Sequence, residues 1–324
     1  MFNEKRLIID EVYSQDEFFA FLNSLKLRAP FIVKPNWICQ DYGHFTDPQV
    51  LEWVLQCLNE QGEVILVESY SARNMMIIPG LKSPLPIFSS NDLKLVRKSE
   101  MAFLKETGLK GVLEETGIEY VNIAEEVLAN RTEDDETVKK VVEKQYSPVF
   151  RKELYKFLPE KLYKLRSGTL INLAKFKVFF SMCTKNMFGM IPEYVCYDSR
   201  YDAYHGTNDK DLSRNIIDIN KIYNAFFNVT GIVEAINSLS HNIGAKSGKK
   251  KTKFGYRYDV LEGAGLIYYC DEPLWLDAFI HQQCGKDPME TEHLKEAARV
   301  FGEWSMQLLQ IAKTFPNPLT TKKV

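Results

Sequence analysis

A chain of 324 residues with 45% hydrophobic and 26% charged side chains can bury one large core or two modest ones, and it lacks the composition of a disordered polymer. Its formal net charge of −2 excludes the strong positive field with which nucleic-acid-binding proteins meet phosphate. Apolar runs such as 170–183 are interrupted by Lys175 and Lys177, and Met1–Arg6 lacks the basic, apolar and small-residue order of a secretory signal, so a soluble cytoplasmic protein with neither nucleic acid nor membrane as partner is expected.

Helix and strand signals alternate over the first hundred residues. Phe18, Phe19, Phe21, Leu22 and Leu25 at helical spacing predict a helix over Gln15–Lys26, and Pro30 ends it before the strand Phe31–Val33. Thr46-Asp47-Pro48 supplies a cap and a first-turn proline for a helix to about Gln61, stopped by Gly62 ahead of the strand Glu63–Glu68. Strand, helix and strand in so short a span fit a right-handed crossover, and continuous apolar strands fit a parallel sheet covered on both faces. Residues Ser69–Ser99, with Pro79, Gly80, Pro84 and Pro86, read as a long loop, and loops of that length are usually functional.

Arg97–Pro159 mixes short helical stretches with charge, and the acidic run 133–136 followed by Lys139 and Lys140 reads as a solvated helix face. Thr169–Leu173 is a strand, Lys210–Phe226 a helix, and Phe227–Ile232 and Gly265–Cys270 are further strands. Asp271-Glu272-Pro273 is read as the cap of a helix to Gln283, and one final amphipathic helix is expected over Glu290–Lys313. The whole is one α/β domain over 1–324, a mostly parallel sheet with helices on both faces and a long central insertion over 70–165.

Six cysteines are dispersed without a single Cys-x-x-Cys pair, so no self-contained iron–sulfur cluster is expected, and most read as small buried hydrophobes. Five scattered histidines give no metal-ligand spacing, and no metal site is assigned. The segment Gly244–Gly248 followed by Lys249 superficially resembles a P-loop, but the spacing is one residue short and Lys250 stands where a Ser or Thr would bind Mg²⁺. The basic run 246–253 is therefore left as a solvated or ligand-closing loop.

Three strands end in polar residues: Val33 leads into Lys34 and Asn36, Leu173 into Lys175 and Lys177, and Cys270 into Asp271. If these strands are parallel neighbours, their polar ends converge on one sheet edge, where ligands of open α/β sheets bind. A short helix starting near Ser181 or Thr184 would add unpaired backbone N–H groups beside Lys185, with Asn186 as a neutral donor and Gly189 as a turn. His205, in the polar and aromatic segment 200–205, is the candidate for proton transfer because imidazole titrates near neutrality.

These motifs resemble an uncharacterised family, domain of unknown function 362. The likeness rests on Lys34-Pro35-Asn36, Thr46-Asp47-Pro48, Lys175-Phe176-Lys177, Lys185-Asn186 with Gly189 and Pro192, Arg200–His205 and Ile217-Asp218-Ile219. It spans about 31–69 and 172–232, extending toward Ala278, roughly half the chain. Two departures stand out: Val178 and Phe179 occupy the place of a family histidine, and Thr230-Gly231 replaces an Asp-Gly pair. The resemblance implies a site shared by these motifs and names no reaction.

Two functions follow as expectations. In the first, a small-molecule metabolic enzyme binds a carboxylate or phosphate through Lys34, Asn36, Lys175, Asn186 and Asp271, with His205, Lys177 and Lys185 as catalytic groups in proton-transfer or isomerase-type chemistry; its cofactor is undefined. In the second, the same polar edge serves a non-catalytic cofactor carrier or an electron-transfer accessory docking an iron–sulfur protein.

Overall fold

The computed structural model describes residues 6–71, 90–177, 181–193, 200–205, 209–253 and 255–319. The first half runs β1 (Leu7–Glu11), α1 (Gln15–Ser24), β2 (Phe31–Lys34), α2 (Pro48–Asn59), β3 (Val64–Glu68), α3 (Ser90–Glu106), α4 (Leu109–Thr116), β4 (Glu119–Asn122), α5 (Ile123–Leu128) and α6 (Asp135–Gln145). The second half continues with α7 (Glu160–Lys164), β5 (Thr169–Lys175), α8 (Cys183–Asn186), α9 (Asp209–Phe226), β6 (Asn228–Ala235), β7 (Ser238–His241), β8 (Lys250–Lys251), β9 (Arg257–Glu262) and β10 (Leu266–Cys270). Helices α10 (Pro273–Gln283), α11 (Glu292–Phe301) and α12 (Met306–Thr314) close the chain.

Seven strands form the main sheet in the order β1-β10-β6-β5-β2-β3-β4. The five strands β4, β3, β2, β5 and β6 are parallel, whereas β10 and β1 add an antiparallel margin. Alternation along the strands divides the core between two faces. Phe31, Val33, Leu66, Ile171 and Leu173 pack against Phe18 and Leu22 of α1, Trp53 and Val54 of α2, and Phe103 of α3. Ile32, Ile65, Val67, Leu170 and Val229 face Val138 and Val142 of α6 and Ile219, Ile222 and Tyr223 of α9. At the β6/β10 end, Val233, Tyr268 and Cys270 are covered by Leu276 and Phe279 of α10, Leu294 of α11 and Leu308 of α12.

Local signals act where expected. Ser14 and Glu17 form a capping box on α1, and the Asp47 carboxylate accepts the Gln49 N–H (3.0 Å) ahead of Pro48 in α2. The anticipated loop over Ser69–Ser99 ends earlier, because Ser90–Glu106 is helical; residues 72–89 of it lie outside the described residues, as do Cys196 and the Val178-Phe179 departure. The final helix is two helices rather than one. Gly302 stands at φ +99°, a backbone region open to glycine, and Ser305 then caps α12 by accepting the Leu308 N–H (3.1 Å).

Residues 90–165 supply the edge strand β4 and helices packed on both faces, so the central stretch is built into the same sheet. The basic run 246–253 contains β8 of a second, three-stranded sheet ordered β7-β9-β8. A strand follows its lysines where a P-loop needs a helix. A Cβ on Gly248 would lie 2.5 Å from the Tyr258 N, so close passage of the β9 backbone explains that glycine.

Candidate functional site

The chain lays β3 and β4 outward from one side of β2, then returns to place β5 and β6 on the other side. Strand order therefore reverses between β2 and β5, and the carboxyl ends of these strands form the crevice where open α/β sheets take their ligands. Lys34 ends β2, Lys175 ends β5, and Lys177 follows two residues on.

Lys34 is fully buried, and its ammonium donates to Glu68 Oε2 (2.7 Å), Pro35 O (2.7 Å) and more weakly to Asn186 Oδ1 (3.4 Å). All three donors of that ammonium are engaged. Burial pushes the lysine down from its usual range, with the nearby Arg200 charge adding to the effect and the Glu68 carboxylate opposing it. One strand pair away, Lys175 meets both oxygens of Glu234 (2.9 and 3.0 Å), and Glu234 Oε1 also accepts the Asp47 N–H (3.0 Å). Burial drives the Glu234 carboxyl upward against the pull of Lys175.

Between the pairs runs a relay of amides. Lys177 Nζ donates to Asn36 Oδ1 and to His44 O (3.2 Å); Asn36 Nδ2 donates to Asn186 Oδ1 (2.8 Å); Asn186 Nδ2 donates to Asn172 Oδ1 (2.8 Å); and Asn172 Nδ2 donates to Cys183 O (2.7 Å). Every donor points the same way, so each bond polarises the next. Asn36 and Lys177 are half-buried and form the end of the relay nearest solvent, whereas Asn172 and Asn186 are inside. Thr46 ties the strands beneath by accepting the Asn36 N–H (2.7 Å) and donating to Leu173 O (3.2 Å). Gly189 fits because a Cβ there would stand 2.6 Å from Glu68 Oε1 and 2.8 Å from Lys34 Nζ.

The expected anion-binding helix terminus is already filled by the chain itself. The N–H groups of Met182, Cys183 and Thr184 donate to the buried Asp277 carboxylate at 3.0, 2.9 and 2.7 Å. Burial still raises Asp277 to about 6, against those bonds. No unpaired N–H group of these three remains for a ligand.

Asp271 also leaves the candidate site, because β10 runs antiparallel to β6 and its carboxyl end lies at the opposite sheet edge. There Asp271 accepts from the Arg6 N–H (3.3 Å) and the Tyr269 hydroxyl, and it makes no side-chain cap to α10. Lys185 shares α8 with Asn186, but its ammonium stands 5.6 Å from the Phe188 ring centre, with the Arg200 guanidinium 5.7 Å from the same ring. His205 is half-buried at the end of the π-type turn Tyr201–His205, a turn held on α9 by Asn215 Nδ2 donating to Tyr204 O (2.8 Å).

Sequence reading missed Glu68, Asn172, Glu234 and Asp277, and it took Arg200 only as part of the motif that ends at His205. Glu68 ends an apolar strand run and Glu234 interrupts one, positions where a carboxylate requires a buried cation, and that was the available signal. A separate cleft of about 330 Å³ opens beside the 40–48 loop, lined by Tyr42, Phe45, Asp47, Glu106, Thr107 and Ser238 among others, with none of the site lysines on its wall.

The profile of the family described as domain of unknown function (DUF362) matches residues 32–256, about 70% of the chain. The chain belongs to this family. In this DUF362 protein the match takes in the parallel strands and the entire relay, while β10 with Asp271 and the last three helices lie beyond it. No curated protein and no solved structure matches the chain. Among the described residues no helix is long and apolar enough to cross a membrane.

Proposed function

We propose that this DUF362 protein is a small-molecule enzyme that binds a carboxylate or phosphate at the β2/β5 crevice and moves a proton there, in isomerase-type chemistry. The observation that carries this reading is the directed relay from Lys177 through Asn36 to Asn186 at the point of strand reversal. A cation at the accessible end supplies charge to an anion, and amides locked by their own hydrogen bonds need little reorganisation as charge develops. Lys34 and Lys175 serve as internal struts, since their ammonium groups are spent on Glu68 and Glu234. Lys185 adds positive charge beside Phe188, and His205 is the proton carrier of this reading.

The test is a panel of small carboxylates and phosphates assayed by thermal shift, followed by deuterium incorporation into any stabilising ligand in D₂O. A binding anion raises the wild-type melting temperature, and Lys177→Ala weakens it by roughly tenfold or more, the worth of a charge-assisted bond. Equal affinity in Lys177→Ala removes the anion site. Binding without exchange leaves the carrier function in place of the enzyme.

A further inference from the structure

The loop from Asn36 to Thr46 carries donor atoms that the lysine–amide relay does not use. A bridge between Trp37 and Phe45 and a Thr46 N–H donating to Asn36 O (2.9 Å) close its base. Inside, Cys39 Sγ, one carboxylate oxygen of Asp41 and one ring nitrogen of His44 lie within 4.8 Å of one another. The three residues are 0%, 9% and 4% exposed. Cys39 Sγ stands 3.8 Å from His44 Nδ1. A tetrahedral zinc ion, with Zn–S of ~2.3 Å and Zn–N of ~2.0–2.1 Å, spaces those two donors by about 3.6 Å.

The loop is held in this form before any ion arrives. Ser71 Oγ donates to Ile38 O (2.8 Å), Ser240 Oγ donates to Gly43 O (2.7 Å), and the His44 N–H donates to Asp41 O (2.9 Å). The His44 ring lies 4.4 Å from the Tyr258 ring, centre to centre. Gly43 has φ +82°, and a Cβ there would come within 2.6 Å of Ser240 Oγ, so only glycine lets the turn bring Asp41 and His44 together.

Asp41 supplies a second, independent observation. Its Oδ1 accepts the Lys253 N–H (3.1 Å), whereas its Oδ2 is buried with no hydrogen-bond partner. A half-satisfied carboxylate in the interior is costly, and a bound dication is the compensation that also uses the neighbouring sulfur and nitrogen. Sequence spacing assigned no metal ligands; the tight loop gathers them.

We propose that Cys39, Asp41 and His44 bind a borderline-soft divalent transition-metal ion of the zinc type. The mixed S, N and O donor set argues against Mg²⁺ and Ca²⁺, which take oxygen ligands. On binding, a metal–sulfur bond replaces the Cys39 S–H bond, the thiol proton leaves to solvent, and no oxidation state changes. Three protein ligands leave a fourth tetrahedral position for water or a solute, as in catalytic rather than closed structural zinc sites. The site stands on residues separate from those of the anion site and touches it through the Lys177 bond to His44 O, so either assignment can fail alone.

The test uses the full chain, stripped with a chelator and titrated with Co²⁺. One equivalent gives tetrahedral d–d bands and a thiolate-to-cobalt charge-transfer band, both displaced by Zn²⁺. Cys39→Ser abolishes the charge-transfer band, Asp41→Asn and His44→Gln each weaken affinity at least about tenfold, and Cys57→Ser changes neither. X-ray absorption on zinc-loaded wild type settles the case even where variants do not fold: the first shell holds one sulfur at ~2.3 Å and nitrogen or oxygen at ~2.0–2.1 Å. Absence of binding, a charge-transfer band that survives Cys39→Ser, or a shell with no sulfur or with several overturns the assignment.

Discussion

Two buried lysine–carboxylate pairs flank the strand reversal, and they differ in what surrounds them. Lys175–Glu234 is sealed at 1% and 0% side-chain exposure, with the Asp47 N–H as a further donor to the carboxylate. Lys34–Glu68 is as deeply placed, yet Glu68 also accepts from the backbone of Ser69 (3.0 Å) and Trp37 (3.4 Å), and Lys34 reaches across to Asn186 of the relay. The first pair fastens α2 to β5 and β6. The second touches the relay at Asn186, the partner of the half-buried Asn36. Similar chemistry thus serves as a sealed strut on one side of the switch point and as backing for an accessible site on the other.

The largest expected effect comes from breaking the sealed pair. Lys175→Met leaves Glu234 buried without its cation and costs about 3–5 kcal/mol in urea unfolding, while the double change with Glu234→Leu recovers most of that loss. A double variant as unstable as the single one would show that the ion pair is not the cause.

Next in size is a pH effect at the support of α8. Burial raises folded Asp277 to about 6, whereas an unfolded aspartate loses its proton near ~3.9, so the folded state binds the proton more tightly. Stability present near pH 4 therefore falls as pH rises to about 6, by up to about 3 kcal/mol, and levels off above. Asp277→Asn removes this component. Unfolding free energies of both proteins between pH 4 and 7 measure the difference, and parallel profiles would contradict the assigned cause.

Gly189→Ala strikes the Lys34–Glu68 pair alone. The added methyl overlaps Glu68 Oε1 and Lys34 Nζ and is expected to cost about 1–3 kcal/mol, the range for overpacking a filled interior. A neutral result in chemical denaturation would mean that the pair moves aside freely.

Lys177→Ala has the smallest effect on folding, within about 1 kcal/mol, because Lys177 and its partner Asn36 are both half-buried. Its effect on anion affinity is the larger one. A stability loss matching that of Lys175→Met would make Lys177 a strut as well and erase the contrast between the two sides.

The sequence by itself determined the local events. Apolar runs specified β2, β3, β5 and β6, Asp47-Pro48 started α2, and the motifs around Lys34, Lys177 and Asn186 marked the sheet edge that holds the relay. These are legible because caps and periodicity act between residues close in the chain. Direction and partnership were decided only by the tertiary structure. Whether β10 runs with or against β6 depends on pairing across the sheet, and it moves Asp271 to the far edge. Asp277, 93 positions from Thr184 in the chain, fills the N-terminus of α8, and Glu234 finds Lys175 across neighbouring strands. Nothing local in the chain encodes those encounters, because a buried charge is satisfied by whichever opposite group the fold delivers.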